Sequence, residues 1–208
     1  MLEIANTFEP IPLIDKFCGN SPVIVAGSTW EEDEIELLHF VKTHPEIKFI
    51  IAPHEIDAEN LADVKNEFTD SIFYSEWVAD KQQVTNVLII DNIGMLSSLY
   101  QYATVAYVGG GFGEGGIHNV LEAAVYGKPV LFGPVYERYY EAVGLVNEEG
   151  GISVDGPINL EEVLNKLLND ETERKRRGEA AKKYVYTNTG ASKKIIQFIQ
   201  ENRLLTNW

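Results

Sequence analysis

The sequence predicts a doubly wound α/β domain, a parallel sheet covered by helices on both faces. Three observations carry this. The strand-like segments are short, apolar and rich in β-branched residues without polar alternation, the pattern of strands buried on both faces. Segments of helical spacing follow them, so that strands and helices alternate from residue 22 onward. The chain has 208 residues, 45% hydrophobic and 24% charged, enough for one large domain whose core needs no disulfide or metal.

Residues 1–21 contain Pro10 and Pro12 and little periodicity, and read as a lead-in segment or interdomain linker. The domain proper is expected over 22–208. A first strand over 22–26 (PVIVA) is broken by Gly27, Ser28 and Thr29. A helix over 31–43 has Ile35, Leu38 and Val41 at helical spacing, and four acidic residues at its start, where the helix dipole favours negative charge. A second strand, 48–52, ends at Pro53, and Asp57 caps a helix running to about Phe68. Short strands are predicted at 71–74 and 86–90, then a short helix at 96–102 and a strand at 104–108. A helix over 119–126 carries the small residues Ala123 and Ala124. Strand 129–132, helix 136–146, an edge strand at 152–154 and helices at 160–168, 171–186 and 192–202 complete the chain.

Composition excludes several classes. With 32 acidic against 17 basic residues the net charge is −15, and a nucleic-acid binder needs the opposite balance on its surface. The one basic run, residues 174–177, lies among Glu171, Glu173 and Glu179 and reads as a solvated helix face. No run approaches the roughly 20 apolar residues of a membrane span, and the start lacks a signal-peptide pattern, so a soluble domain is expected. A lone cysteine, Cys18, forms no disulfide framework. The four histidines lack metal-ligand spacing and no calcium-loop pattern occurs, so neither a metal nor a cofactor is expected. There is no nucleophile elbow and no Walker-type phosphate loop.

In a doubly wound fold, ligands bind at the carboxyl ends of the strands. The loops expected there begin at Gly27, Pro53, Asp91, Gly109 and Gly133 and are rich in glycine, hydroxyls, amides and histidine. The sharpest feature is residues 109–116, with six glycines in eight positions, leading into the start of a helix. Uncovered backbone amides there would make an anion site suited to a phosphate; a flexible surface loop is the alternative. Gly111-x-Gly113-x-x-Gly116 matches the dinucleotide fingerprint, but after a late strand instead of the first. His118, Asn119 and Glu122 would share one helix face, with Glu122 suited to two vicinal hydroxyls or merely a surface acid. His118 has a capping or space-filling reading, His54 a turn reading, and Ser28 and Thr29 a helix-capping reading. His39 and His44 have no expected role.

The runs VAGST (25–29), IAPH (51–54), DNIG (91–94), VGGGF (108–112), GGIHNVLE (115–122) and GKPVLFGP (127–134) occur in that order. Together they resemble the carboxyl-terminal half of the 3-deoxy-D-manno-octulosonic acid (Kdo) transferases, over about residues 22–170. The resemblance implies one Rossmann-like half of a two-domain GT-B glycosyltransferase, the half that binds the nucleotide sugar CMP-Kdo. The other half would bind a lipid A precursor at the cytoplasmic face of the bacterial inner membrane and carry the catalytic base, leaving no catalytic residue in this domain. Transfer would be inverting and metal-independent. By analogy Gly113, Gly115, Gly116, His118 and Asn119 hold the CMP phosphate and Glu122 the ribose. Ile93, Gly94 and Met95 lie near the cytosine, and Gly27, Ser28, Thr29 and His54 face the sugar and its phosphate. Many members carry Pro-Arg-His where this chain has Ala52, Pro53 and His54, so an expected arginine is missing; Arg138 or Lys128 would have to replace it. The chain alone is expected to bind donor weakly and transfer nothing. Alternatives are another GT-B enzyme using a UDP-sugar, or a non-catalytic nucleotide-binding module; a nicotinamide dehydrogenase ranks below both.

Overall fold

The computed structural model describes residue 5 and residues 7–77 and 85–202. Residues 1–4 and 6 of the lead-in segment, and residues 78–84 and 203–208, lie outside that description. Strands β1 (Val23–Thr29), β2 (Lys48–Pro53), β3 (Ile72–Phe73), β4 (Val87–Ile89), β5 (Val105–Val108), β6 (Val130–Phe132) and β7 (Gly151–Ser153) form one sheet in the order β3-β4-β2-β1-β5-β6-β7. Every pairing is parallel. The connections after β1 build one side of the sheet and those after β5 the other, so strand order reverses between β1 and β5. That is where such a sheet opens a crevice at its carboxyl edge.

The helices are α1 (Pro12–Cys18), α2 (Glu31–Thr43), α3 (Ala58–Glu67), α4 (Leu96–Leu99), α5 (Leu121–Ala124), α6 (Tyr140–Asn147), α7 (Pro157–Asn169), α8 (Glu171–Thr187) and α9 (Ala191–Glu201). Successive strand residues point to opposite faces. Val23 and Val25 of β1 therefore enter one core with Phe132, Leu145 and Ala181, while Ile24 and Ala26 enter the other with Leu37, Phe40 and Leu164. This two-sided burial is why the strands read as unbroken apolar runs.

Several expectations change. A helix, α1, occupies part of the segment to which the sequence assigned no element, and its Ile14, Phe17 and Cys18 are buried in the first core. Burial pushes the Cys18 thiol up to about 12, which leaves it an inert packing group. Strand β1 is not broken at Gly27 but runs to Thr29 through a bulge, with Ser28 at φ +54°. Helix α2 has the predicted bounds but a different buried face. Leu37, Phe40 and Val41 point inward together with Asp33 and Glu34, whereas Ile35 is exposed. The helix expected over 119–126 shrinks to Leu121–Ala124. Its start is set by the Asn119 side chain, whose Oδ1 accepts the Leu121 N–H, and it closes in the turn at Gly127, φ +71°. The helix expected over 136–146 begins only at Tyr140, because turns closed by Tyr136 N–H to Pro134 O and by Tyr139 N–H to Tyr136 O precede it. The segment 96–102 divides into α4 and a 3₁₀ turn at Tyr100–Tyr102.

Candidate functional site

The site is assembled at the carboxyl ends of β1, β2, β5 and β6. Thr29 and Pro53 are partners across β1 and β2, and the His54 N–H donates to the Thr29 carbonyl at 2.8 Å, extending the ladder one step further. Trp30 and His54 therefore leave the sheet side by side, and their rings stack at 4.7 Å. The loop after β5 returns to the sheet when His118 N–H donates to Gly109 O at 3.0 Å. This brings the His118 ring onto His54 at 4.3 Å. Trp30 and His118 lie almost coplanar, at 9°, joined edge to edge by a Trp30 Nε1–H to His118 Nε2 hydrogen bond of 2.9 Å. His54 is stacked against both.

Beneath these rings lies Asp33. One of its oxygens, Oδ2, accepts the backbone N–H of Trp30 (3.0 Å) and of Gly110 (2.8 Å); the other accepts the Tyr107 hydroxyl at 2.7 Å. A single buried carboxylate thus ties the start of α2 to the glycine-rich loop. Burial raises the Asp33 carboxyl above its usual range, opposed by the three hydrogen bonds. Next to it Thr29 is fully buried and its hydroxyl donates to Glu34 Oε1 at 2.7 Å, so Thr29 neither caps α2 nor opens on a ligand.

The loop over 109–116 is a shaped wall. A Cβ on Gly109 would collide with the Ser28 carbonyl, and one on Gly110 would lie 2.9 Å from the His118 ring. Gly111 and Gly133 approach backbone to backbone: a Cβ on Gly111 would stand 2.6 Å from Gly133 N. The loop after β6 buttresses this contact through Val135 N–H to Gly111 O and Ile117 N–H to Val135 O. A Gly116 Cβ would be 2.6 Å from the Tyr139 ring, whose hydroxyl donates to Gly115 O. Gly113 and Gly115 differ. A Cβ on Gly113 would meet nothing closer than 3.8 Å and one on Gly115 nothing within 4 Å. The expectation that the loop amides stand uncovered needs correction. Gly113 N–H closes a turn onto Gly110 O and Gly116 N–H one onto Gly113 O, because a tight turn satisfies its own donors. Among the described residues the N–H groups of Glu114 and Gly115, at the tip, have no backbone acceptor.

The resulting cleft of about 460 Å³ is lined by Trp30, Glu32, Gly110, Gly113, Glu114, Gly115, Gly116, Ile117, His118 and Tyr139. His118, Asn119 and Tyr139 also line an adjoining hollow. Of the residues singled out in the sequence, Gly113, Gly115, Gly116 and His118 are brought together here, with Asn119 next door. His118 precedes α5 instead of sharing its face, while Asn119 Nδ2 does donate to Glu122 Oε1, at 3.0 Å. Gly27 is buried, where a side chain would collide with Tyr100 and Leu96; its role is to let those residues lie over β1. Ser28 carries the strained backbone of the β1 bulge. Ile93 is 88% exposed, Gly94 takes φ +98°, and the Met95 carbonyl starts α4 by accepting from Ser98 and Leu99. None of these three lines the cleft. Lys128 sits at the amino end of β6, the opposite edge of the sheet, and so cannot replace the missing arginine. Arg138 does reach the loop: its guanidinium donates to Glu114 O at 3.2 Å. Sequence reasoning missed Trp30, Asp33 and Tyr139. His39 pairs with Glu161 and His44 stacks on Phe40, away from the cleft. Among the described residues no group of acidic, histidine or cysteine side chains is arranged to hold a metal, and no helix is long and apolar enough to cross a membrane.

No family model matches the chain. Curated relatives do. It is 28% identical to the 3-deoxy-D-manno-octulosonic acid transferase of Rickettsia felis, over 92% of this chain and 43% of the relative. It is 30% identical to the transferase of the same name from Aquifex aeolicus, over 72% of the chain and 43% of the relative. The chain thus spans less than half the length of these relatives. Among solved structures it resembles the C-terminal CMP-Kdo binding domain of WaaA from Acinetobacter baumannii, with a TM-score of 0.72 at 19% identity, covering 88% of this chain and 97% of that one. The curated matches and the shared Rossmann-like GT-B fold together support a Kdo transferase carboxyl-terminal domain.

Proposed function

We propose that the cleft binds CMP-Kdo and that the chain is the donor-binding half of an enzyme moving Kdo onto a lipid A precursor at the inner membrane. The observation that carries this reading is the bare wall at Gly113 and Gly115. Every other glycine of the loop is required by a protein neighbour, whereas these two face open space, as needed where a ligand must approach the backbone. A phosphate lodged there would meet the tip amides of Glu114 and Gly115, with Arg138 behind them. Glu122, whose carboxylate accepts from Asn119 Nδ2, would take the ribose hydroxyls.

Chemically, displacement of CMP from the sugar leaves extra negative charge on the phosphate. Fixed amide dipoles stabilise that charge without reorganising and without a metal. An acceptor hydroxyl attacking from the opposite face inverts the anomeric centre and needs a general base there, which the other domain would supply. Closure of the two halves would keep water from the donor.

The test is calorimetric titration with CMP and UMP. CMP is expected to bind more tightly than UMP, and Glu122→Ala to weaken CMP binding by roughly 1–3 kcal/mol, the cost of charge-assisted hydrogen bonds. Preference for UMP would transfer the chain to the UDP-sugar enzymes, and an unchanged affinity in the variant would remove Glu122 from the site.

A further inference from the structure

Trp30 stands outside every motif that marks the site, yet it makes the one side-chain hydrogen bond described for the His118 ring. An indole N–H is a donor only. His118 Nε2, which receives it, must therefore be unprotonated, and a neutral ring then carries its proton on Nδ1. Both ends of this bond are held. Trp30 N–H and Gly110 N–H share the same Asp33 oxygen, and the His118 ring packs on the Cβ-free face of Gly110. His54 stacks on both rings and restricts their tilt. Burial, and secondarily His54, hold the His118 imidazole below its usual range, in keeping with a neutral ring.

We propose that Trp30 is a positioning residue for His118: its indole N–H, on a backbone anchored by Asp33 and a ring stacked on His54, locks the imidazole as the Nδ1–H tautomer. The ring at the cleft wall then offers a ligand a donor and not an acceptor. This choice suits an oxyanion and rejects a ligand that presents only N–H or O–H donors at that point. The inference about the ligand rests on the cytidylate reading above; the lock itself does not.

The experiment is ¹⁵N spectroscopy of the histidine rings in the full chain, at a pH where imidazole is neutral, with His118 assigned by the signals lost in His118→Gln. In the wild type the protonated nitrogen is expected to be Nδ1. Trp30→Phe keeps an aromatic ring for His54 to stack on, though a smaller one, and removes the donor. It is expected to convert His118 to a mixture of tautomers and to weaken CMP binding about three- to tenfold, the range of one neutral hydrogen bond. A wild-type His118 protonated on Nε2 overturns the lock without recourse to any variant. So does an Nδ1–H form that persists in Trp30→Phe. Loss of the tautomer with unchanged CMP affinity overturns the positioning role. A wild type that binds no CMP, yet whose Nδ1–H form is lost on Trp30→Phe, supports the lock and refutes the cytidylate reading instead.

Discussion

Glu34 is where one side chain most clearly controls the response of the protein to pH. Its carboxyl is buried at the foot of the site, receiving the Thr29 hydroxyl. Burial first, and then the charges of Glu67, Asp33 and Glu31, push it from 4.5 to about 7, against the Thr29 hydrogen bond that lowers it. The unfolded chain releases this proton near the ordinary value, so between 4.5 and about 7 the folded state holds more protons than the unfolded one. Stability therefore falls as pH rises through that window and levels off above it. Glu34→Gln keeps an acceptor for Thr29 and removes the charge. It is expected to abolish this component of the slope and to stabilise the protein above the window by up to about 3 kcal/mol. Urea denaturation of both proteins across the window reads the difference, and coincident slopes would mean that Glu34 is not desolvated. This residue also marks where the sequence fell silent. The four acids opening α2 looked like a solvated complement to the helix dipole, because nothing local distinguishes an acid facing water from one facing Tyr107 and Gly110. Only the packing of α2 on the sheet turned Asp33 and Glu34 inward.

Elements divide by how they are buried. Strands β1, β2, β4, β5 and β6 were legible because burial on two faces demands an unbroken apolar run, which no helix of similar length imitates between turn residues. The short helices were not, because α4 and α5, of four residues each, are held by loop contacts and side-chain caps and not by periodicity. Helix α8 was legible in extent, but its function was not. Gly178, Ala181 and Tyr184 form one face, and each meets a glycine of the neighbouring layer: Gly127, Gly150 and Gly144. That close fit seats α6, whose preceding residue Tyr139 props the glycine-rich loop. Gly→Ala inside a helix ordinarily stabilises by about 0.5–1 kcal/mol. At Gly178 a Cβ would collide with the Gly127 carbonyl and stand 2.9 Å from its carbon, both backbone atoms that cannot rotate away. Gly178→Ala is therefore expected to destabilise by about 1–3 kcal/mol, as overpacking does, and to lower the thermal midpoint. A raised midpoint would show that α8 is free to shift away from the Gly127 turn.

The whole molecule sets a constraint that no single loop reveals. The crevice position followed from strand order, and the cleft lies at the reversal between β1 and β5, as the alternation implied. Its electrostatics do not follow from that fold. The chain carries a net charge of −15, and two carboxylates, Glu32 and Glu114, line the cleft with Arg138 at its rim. A phosphate entering it is attracted at contact by amide dipoles and repelled at longer range by the chain. Contact attraction at hydrogen-bond distance is barely screened, whereas repulsion across the surface acts over lengths comparable with the Debye length. Raising salt from about 0.01 to about 0.15 M shortens that length from about 30 to about 8 Å and removes mainly the repulsion. CMP binding is therefore expected to tighten over this range, by about two- to threefold, the reverse of an anion site built on a basic patch. Titrations at the two salt concentrations decide it. Weaker binding at higher salt would mean that a cation, Arg138 foremost, dominates the attraction. The amide wall would then be secondary to it.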